Sequence, residues 1–160
     1  SWATELTWMT WLDVTQNEAV FKGRKAEPGK WAAYTQIDAV DKNYFGLAVN
    51  FTPTWFQVLP GIDVLAPLSW SQGISGNSAV SAGGQDGAGS FGIGVAADVY
   101  QKYRFDLKYV GFYGDYSTCP AVGTPGRPGT CSDGAAGVFN GLNATISDRD
   151  FVALTFKMTF

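Results

Sequence analysis

At 160 residues and a formal net charge of −3, the chain has room for one domain at most, or for part of one. It offers no basic face for nucleic acid, and with no histidine it lacks the commonest metal ligand and general base. Gly 20, aromatics at 15% and charged residues at only 16% accompany the absence of any apolar run of about 18 residues, so a transmembrane helix is excluded while membrane-crossing strands are not.

Apolar residues recur at every second position in six segments, the period of a strand. The first predicted strand is Trp2–Val14, with Trp2, Leu6, Trp8 and Leu12 on one face and Glu5, Thr7 and Asp13 on the other. The second is Tyr44–Pro53, setting Phe45, Leu47, Val49 and Phe51 against Tyr44, Gly46, Ala48, Asn50 and Thr52. The third, Gly61–Gln72, sets Ile62, Val64, Ala66, Leu68 and Trp70 against Asp63, Ser69 and Ser71. Pro67 removes a ladder donor there and predicts a bulge or local irregularity. The fourth, Ser90–Tyr100, sets Phe91, Ile93, Val95, Ala97 and Val99 against Gly92, Gly94, Ala96 and Asp98. The fifth is Arg104–Tyr116, and the sixth is the ending "RDFVALTFKMTF", residues 149–160. No segment holds a sustained helical period.

The connections alternate. Residues 15–43, 73–89 and 117–148 are long; 54–60 and 101–103 are short. This alternation is the signature of a transmembrane β-barrel with long outer loops and tight periplasmic turns, and strands of about 10 residues suit a tilted crossing. On that reading the apolar face meets lipid, and the small or charged face meets the lumen. Trp2, Trp55, Phe56 and Tyr103 fall near the short turns, and Trp11, Trp70, Tyr113 and Tyr116 near the long loops, as two headgroup-level girdles require.

Around the tight turn Gln101–Tyr103, parity directs Asp98, Arg104, Asp106 and Lys108 inward. The predicted register sets Tyr100 opposite Arg104 and Asp98 opposite Asp106, with Arg104 and Lys108 on the diagonals to neutralise the facing carboxylates. The cluster reads either as a charge-balanced wall or as a selectivity element of a pore. Cys119 and Cys131 flank the Gly/Pro-rich "PAVGTPGRPGT", which curls back easily. A disulfide between them suits an extracellular loop, whereas a metal site would lack further ligands. Asn50-Phe51-Thr52 and Asn143-Ala144-Thr145 are chance matches to the glycosylation pattern, and "GIG" at 92–94 is small-residue packing rather than a nucleotide fingerprint.

The ending resembles that of outer-membrane barrels, whose final strand commonly closes on Phe after alternating apolar residues. The resemblance implies that Phe156, Met158 and Phe160 belong to a signal read by the barrel-assembly machinery. The segments "LAVNFTPTWFQVLPGIDVLAPLSWSQGISGNSAV", "GVAADVYQKYRFDLKYVGFYGDY" and "SDRDFVALTFKMTF" further resemble the C-terminal part of the proteobacterial family catalogued as domain of unknown function 1302, over nearly the whole chain. Members look like much larger outer-membrane barrels, with genes associated with hydrophobic compounds such as steroids. The resemblance implies transport and supplies no catalytic residues.

Single-chain bacterial barrels begin at about eight strands, with an even count, so six strands do not close one. The expectation is an all-β fold: the six C-terminal strands of a larger antiparallel transmembrane barrel, residues 1–160 forming the end of one domain. Its N-terminal strands precede a chain that opens at Ser1 already in a strand pattern, a processed or truncated start. The expected function is a bacterial outer-membrane channel or transporter for a small, hydrophobic or other, solute, without cofactor. A structural or adhesive surface protein is the alternative. An outer-membrane hydrolase is disfavoured, because no histidine activates a serine here. Expected partners are outer-membrane lipid, the assembly machinery and the solute.

Overall fold

The computed structural model describes residues 1–16, 40–79, 84–118, 137–139 and 141–159. In chain order the elements are β1 (Trp2–Thr10), β2 (Asn43–Phe51), β3 (Thr54–Leu59), β4 (Ile62–Leu65), β5 (Leu68–Ser75), β6 (Gly89–Val99), β7 (Tyr103–Tyr113), β8 (Tyr116–Thr118), β9 (Gly137–Phe139), the short helix α1 (Gly141–Thr145) and β10 (Phe151–Met158). An antiparallel sheet of eight strands holds all but β8 and β9, which pair as a ribbon of their own. The fold is all-β, as the period-two pattern requires. The five-residue α1 was not foreseen, because one turn is too short to impose a period.

The eight strands follow six continuous paths. β2 and β3 are one path interrupted at Thr52–Pro53, and β4 and β5 are one path interrupted at Ala66–Pro67. The pairs Phe51 with Leu68 and Thr54 with Leu65, on either side of the breaks, belong to one register. So do Leu65 with Ala96 and Leu68 with Ile93 on the other flank. The irregularity expected at Pro67 is present as a break in the strand at Ala66–Pro67, and it brings no bulge. Each proline withholds a donor but keeps its acceptor: Pro53 O receives the Ala66 amide at 3.0 Å, and Pro67 O receives the Gly94 amide at 2.9 Å. The ladder thins without slipping.

Register shifts occur elsewhere. One lies between Phe45 and Gly46 against β5, with Ile74 the extra residue. Another lies in β3 between Trp55 and Leu59, where Gln57 adopts φ 49° and its amide donates to Asp63 Oδ1 at 2.7 Å. Residues 54–60 are thus mostly strand rather than a turn, a correction to the sequence reading. Alternation fails at the consecutive Trp55–Phe56, and prolines at 53 and 60 mimic loop punctuation. Other ends move by a few residues: β1 stops at Thr10, β5 runs on to Ser75, and β7 stops at Tyr113.

One row of partners, Trp2, Phe51, Leu68, Ile93, Tyr109 and Val152, crosses every path. β1 lies wholly on the long-loop side of this row, and β10 lies almost wholly on the tight-turn side. The strands step along one another, the stagger that tilted strands need. The sheet is not closed: among the described residues β1 and β10 each have one neighbour.

The two faces differ in size and exposure. One carries Leu6, Trp8, Phe45, Phe51, Ile93, Val95, Leu107, Leu154 and Phe156, all exposed, with Leu6 at 74% and Leu154 at 77%. The other is the more shielded, as on the inner side of a curved sheet: Ala96 is 1% exposed and Tyr44 7%. Among the described residues no large side chain is fully buried, so the sheet has no apolar core on either face.

At the tight-turn end, β6 and β7 join through Tyr100 (φ 51°) and Gln101 (φ 54°), closed by Lys102 N donating to Val99 O at 3.1 Å. Two consecutive positive φ values make this a type I′ turn, whose hand matches strand twist. The neighbouring turn at Pro60–Gly61 uses Gly61 at φ 77°, and Tyr100 N donates to Gly61 O at 2.6 Å. A Cβ at Gly61 would enter the Tyr100 ring. Left-handed φ costs a non-glycine residue about 1–2 kcal/mol. Gln101→Gly is therefore expected to raise the stability of the refolded protein by about 1 kcal/mol, read as a higher urea midpoint, and Gln101→Val to lower it. Equal midpoints for the three proteins would show that the turn carries no strain.

Candidate functional site on the polar face

The shielded face carries small residues along its middle and charges towards the tight turns. Gly92, Gly94 and Ala96 of β6 sit between Ser69 of β5 and Asp106 and Lys108 of β7. Ser71 and Ser90 share a hydroxyl contact of 3.0 Å across β5 and β6. Lys108 is exposed and extends over Gly92, where a Cβ would lie 2.9 Å from its Cε. Gly92 thus makes room for the lysine stem, while Gly94 lies close to the Leu107 carbonyl and the Pro67 ring.

Asp98, Arg104, Asp106 and Lys108 all lie on this face, as parity requires, but their register differs from the expected one. Asp98 pairs with Arg104, and Asp106 with Ala96. The turn consumes Tyr100, Gln101 and Lys102 rather than 101–103, so the partners shift by two residues and the face is conserved. The two carboxylates do not face each other. Arg104 spans them instead, with Nη1 3.2 Å from Asp98 Oδ2 and Nε 3.1 Å from both oxygens of Asp106. Lys108 points away towards β5 and, among the described residues, forms no ion pair. Its expected role in neutralising the carboxylates is corrected accordingly.

Two further charges join the cluster. Asp63 of β4 pairs with Asp98, and Lys157 of β10 pairs with Arg104. A row Asp63, Asp98, Arg104, Lys157 therefore crosses four paths, acidic at one end and basic at the other. Both residues have inward parity in the sequence. Their place in the row depends on cross-strand register, which no single strand encodes.

The terminal strand places Phe156 against Phe105 (ring centroids 5.0 Å apart) and Tyr103 (6.3 Å), on the apolar face with Met158. Phe160, Cys119 and Cys131 lie outside the described residues. Of the aromatics expected in girdles, Tyr103 and Trp55 stand towards the tight turns and Trp11 just beyond β1. Trp70 does not stand at a loop end, because β5 continues past it to Ser75. At the long-loop end an open groove of about 430 Å³ is lined by Trp8, Trp11, Lys42, Tyr44 and Ser78 among others. α1 packs against the end of β7, its Ala144 over Gly114. Asp150 accepts from the Tyr109 hydroxyl and from the Phe112 amide, and so ties the last loop to the sheet.

No group of three metal-ligating side chains occurs among the described residues. The face combines small residues with opposed charges. The family comparison is decisive for kinship, since the profile described as "Protein of unknown function (DUF1302)" matches residues 1–160. The chain belongs to the DUF1302 family. No curated protein and no solved structure matches it. In this DUF1302 chain the charged row is the feature most open to direct measurement.

Among the described residues, Arg104 is the one cation bonded to both Asp98 and Asp106. Exposed ion pairs contribute about 0–1 kcal/mol each, so Arg104→Gln is expected to cost about 1 kcal/mol at low salt, with Asp63 adding to the unrelieved repulsion. Adding Asp98→Asn should recover much of that loss. The loss should also shrink at 1 M salt, where the Debye length is about 3 Å. Urea titrations of the single and double variants at both salt concentrations measure this; a loss independent of salt would show that Arg104 acts through packing alone.

Proposed function

We propose that this DUF1302 chain is the C-terminal part of a bacterial outer-membrane β-barrel. Its apolar face meets lipid, and its polar face lines a route for small solutes. The observation that carries the reading is the inverted distribution of side chains. Large apolar groups stand exposed along every path, while the shielded face holds glycine, alanine, serine and charge. In water, so extensive an apolar surface drives association; in hydrocarbon it is the required exterior. The stagger of the strands supports the same reading, and so do the two edges, which further strands of the barrel would satisfy.

The test uses the full-length protein. It is expected in the outer-membrane fraction, soluble only with detergent, and to release small sugars from liposomes into which it is reconstituted. Recovery as a stable monomer without detergent would sink the barrel reading. Insertion without release of any solute would remove the route and favour a structural or adhesive role. Within a conducting barrel, replacing Arg104 and Lys108 by Gln should shift the reversal potential towards cations at low salt. On the same reading Cys119 and Cys131 are bonded in an outward loop, so unreduced protein should yield no titratable thiol; a rapid thiol reaction would contradict the bridge.

The apolar terminal strand is proposed to be read during assembly. Deleting Phe160 should lower the yield of folded barrel in cells severalfold, while leaving the urea midpoint of protein refolded in detergent within about 0.5 kcal/mol, the usual range for a peripheral change. Unchanged cellular yield would show that the ending is incidental.

A further inference from the structure

Where it is described, the connection between β5 and β6 does not rise away from the sheet. Its described arms, 76–79 and 84–88, lean back over the polar face at the long-loop end. The seat is made of backbone. Gly73 and Asp86 form a parallel bridge, with Gly73 N donating to Ala88 O at 2.9 Å and Gly87 N to Gly73 O at 3.0 Å. A Cβ at Gly73 would fall on the Gln85 carbonyl, so only a glycine admits this approach. Further along, Gly84 lies against the Tyr44 ring and hydroxyl, and the same hydroxyl lies over Gly46 of the wall.

Three ties hold the arms down. Asn77 O accepts the Asp41 amide, Asp41 Oδ2 accepts the Asn77 amide, and Asn77 Oδ1 accepts the Asp86 amide, each at 3.0 Å. The Ser78 amide donates to Gly84 O at 3.0 Å, and its hydroxyl reaches Met9 Sδ of β1 at 3.8 Å. As a result Asn77 and Ser78 are 7% and 5% exposed. In a sheet without an apolar core, these are the most buried polar side chains of the described residues. The arms thus reach from β5 across β2 to β1, on the face that carries the charged row.

We infer that the two described arms of the β5–β6 connection, 76–79 and 84–88, form an inward fold seated on the wall, and that these arms set the width of the solute route at the long-loop end. The inference rests on the proposed route; the position of the fold does not. An outward loop would leave Asn77 and Ser78 in water and would not need glycine at 73 and 84.

Two measurements on the full-length protein test it. Position is read by labelling Ser78→Cys, in a background with Cys119→Ser and Cys131→Ser, with a membrane-impermeant maleimide. Labelling should be slower than at Thr10→Cys, an exposed position on the same end, by roughly an order of magnitude, as for a site reached through local opening. Adding Asp41→Ala and Asn77→Ala should abolish the difference. Equal rates without those two changes would overturn the inward fold.

Width is read from planar-bilayer conductance in polyethylene glycols of graded size. The wild type is compared with Asp41→Ala/Asn77→Ala, which unties the arms, and with Gly73→Val, which evicts the Gln85 carbonyl. Retained heat-modifiable gel migration confirms that each variant is folded. Both variants should admit larger polymers than the wild type, and conductance confined to the variants would equally support the inference. An unchanged cut-off in folded variants overturns it and leaves the route standing. Silence from the wild type and both variants, all inserted, overturns the route and with it the role in width. If Gly73→Val does not fold, Asp41→Ala/Asn77→Ala decides.

Discussion

A backbone amide or carbonyl taken out of water without a hydrogen-bond partner costs roughly 2–7 kcal/mol. Everything in this sheet is arranged around that constraint. The six paths hold one another through antiparallel ladders, whose register shifts at Phe45/Gly46 and between Trp55 and Leu59 and otherwise runs on across the breaks at Pro53 and Pro67. Side-chain alternation follows from the ladder: once the register is fixed, a residue has no choice of face. The division into an apolar face and a small, charged face therefore follows from the ladder.

The two prolines show how far the constraint bends. Prolines are rare in interior strands because they remove a ladder donor, yet Pro53 and Pro67 stand on adjacent paths at almost the same level. The antiparallel ladder keeps the local cost small. Each residue directs its N–H and C=O to the same neighbour, so each proline forfeits one bond and keeps its partner. The surviving bonds from Ala66 and Gly94 hold the register on both flanks. At the rim, Ser1 and Thr52 exchange bonds of 2.8 and 2.9 Å beside the break, closing the ladder of β1 on β2 next to Pro53.

The six paths, their order and the division into two faces were legible in the sequence, because period two is a local property. Asp98, Arg104 and Asp106 were recognisable as inward for the same reason. What was not legible is whatever depends on two strands at once. The turn at Tyr100–Gln101 carries neither Asn nor Gly, so its I′ geometry had no signature, and the cross-strand partners of Arg104 came out two residues away. Asp63 and Lys157 could not be joined to the cluster without that register. The β3 path was concealed by its own chemistry: a bulge at Gln57 abolishes the alternation that would have revealed it.

Side-chain volume is divided unequally between the two faces. A small water-soluble barrel fills its inside with large apolar groups. Here the shielded face holds glycine and alanine, and two of its long side chains lie flat along the sheet, Tyr44 over Gly46 and Lys108 over Gly92. Packing that flattens side chains against glycine keeps this face low. At one end of the cleared face stands a row of opposed charges, and at the other the β5–β6 connection rests on the same kind of bare backbone. Removing side chains therefore does two jobs. It leaves space between the ends, and it lets a loop approach the wall closely enough for backbone hydrogen bonds to hold it there.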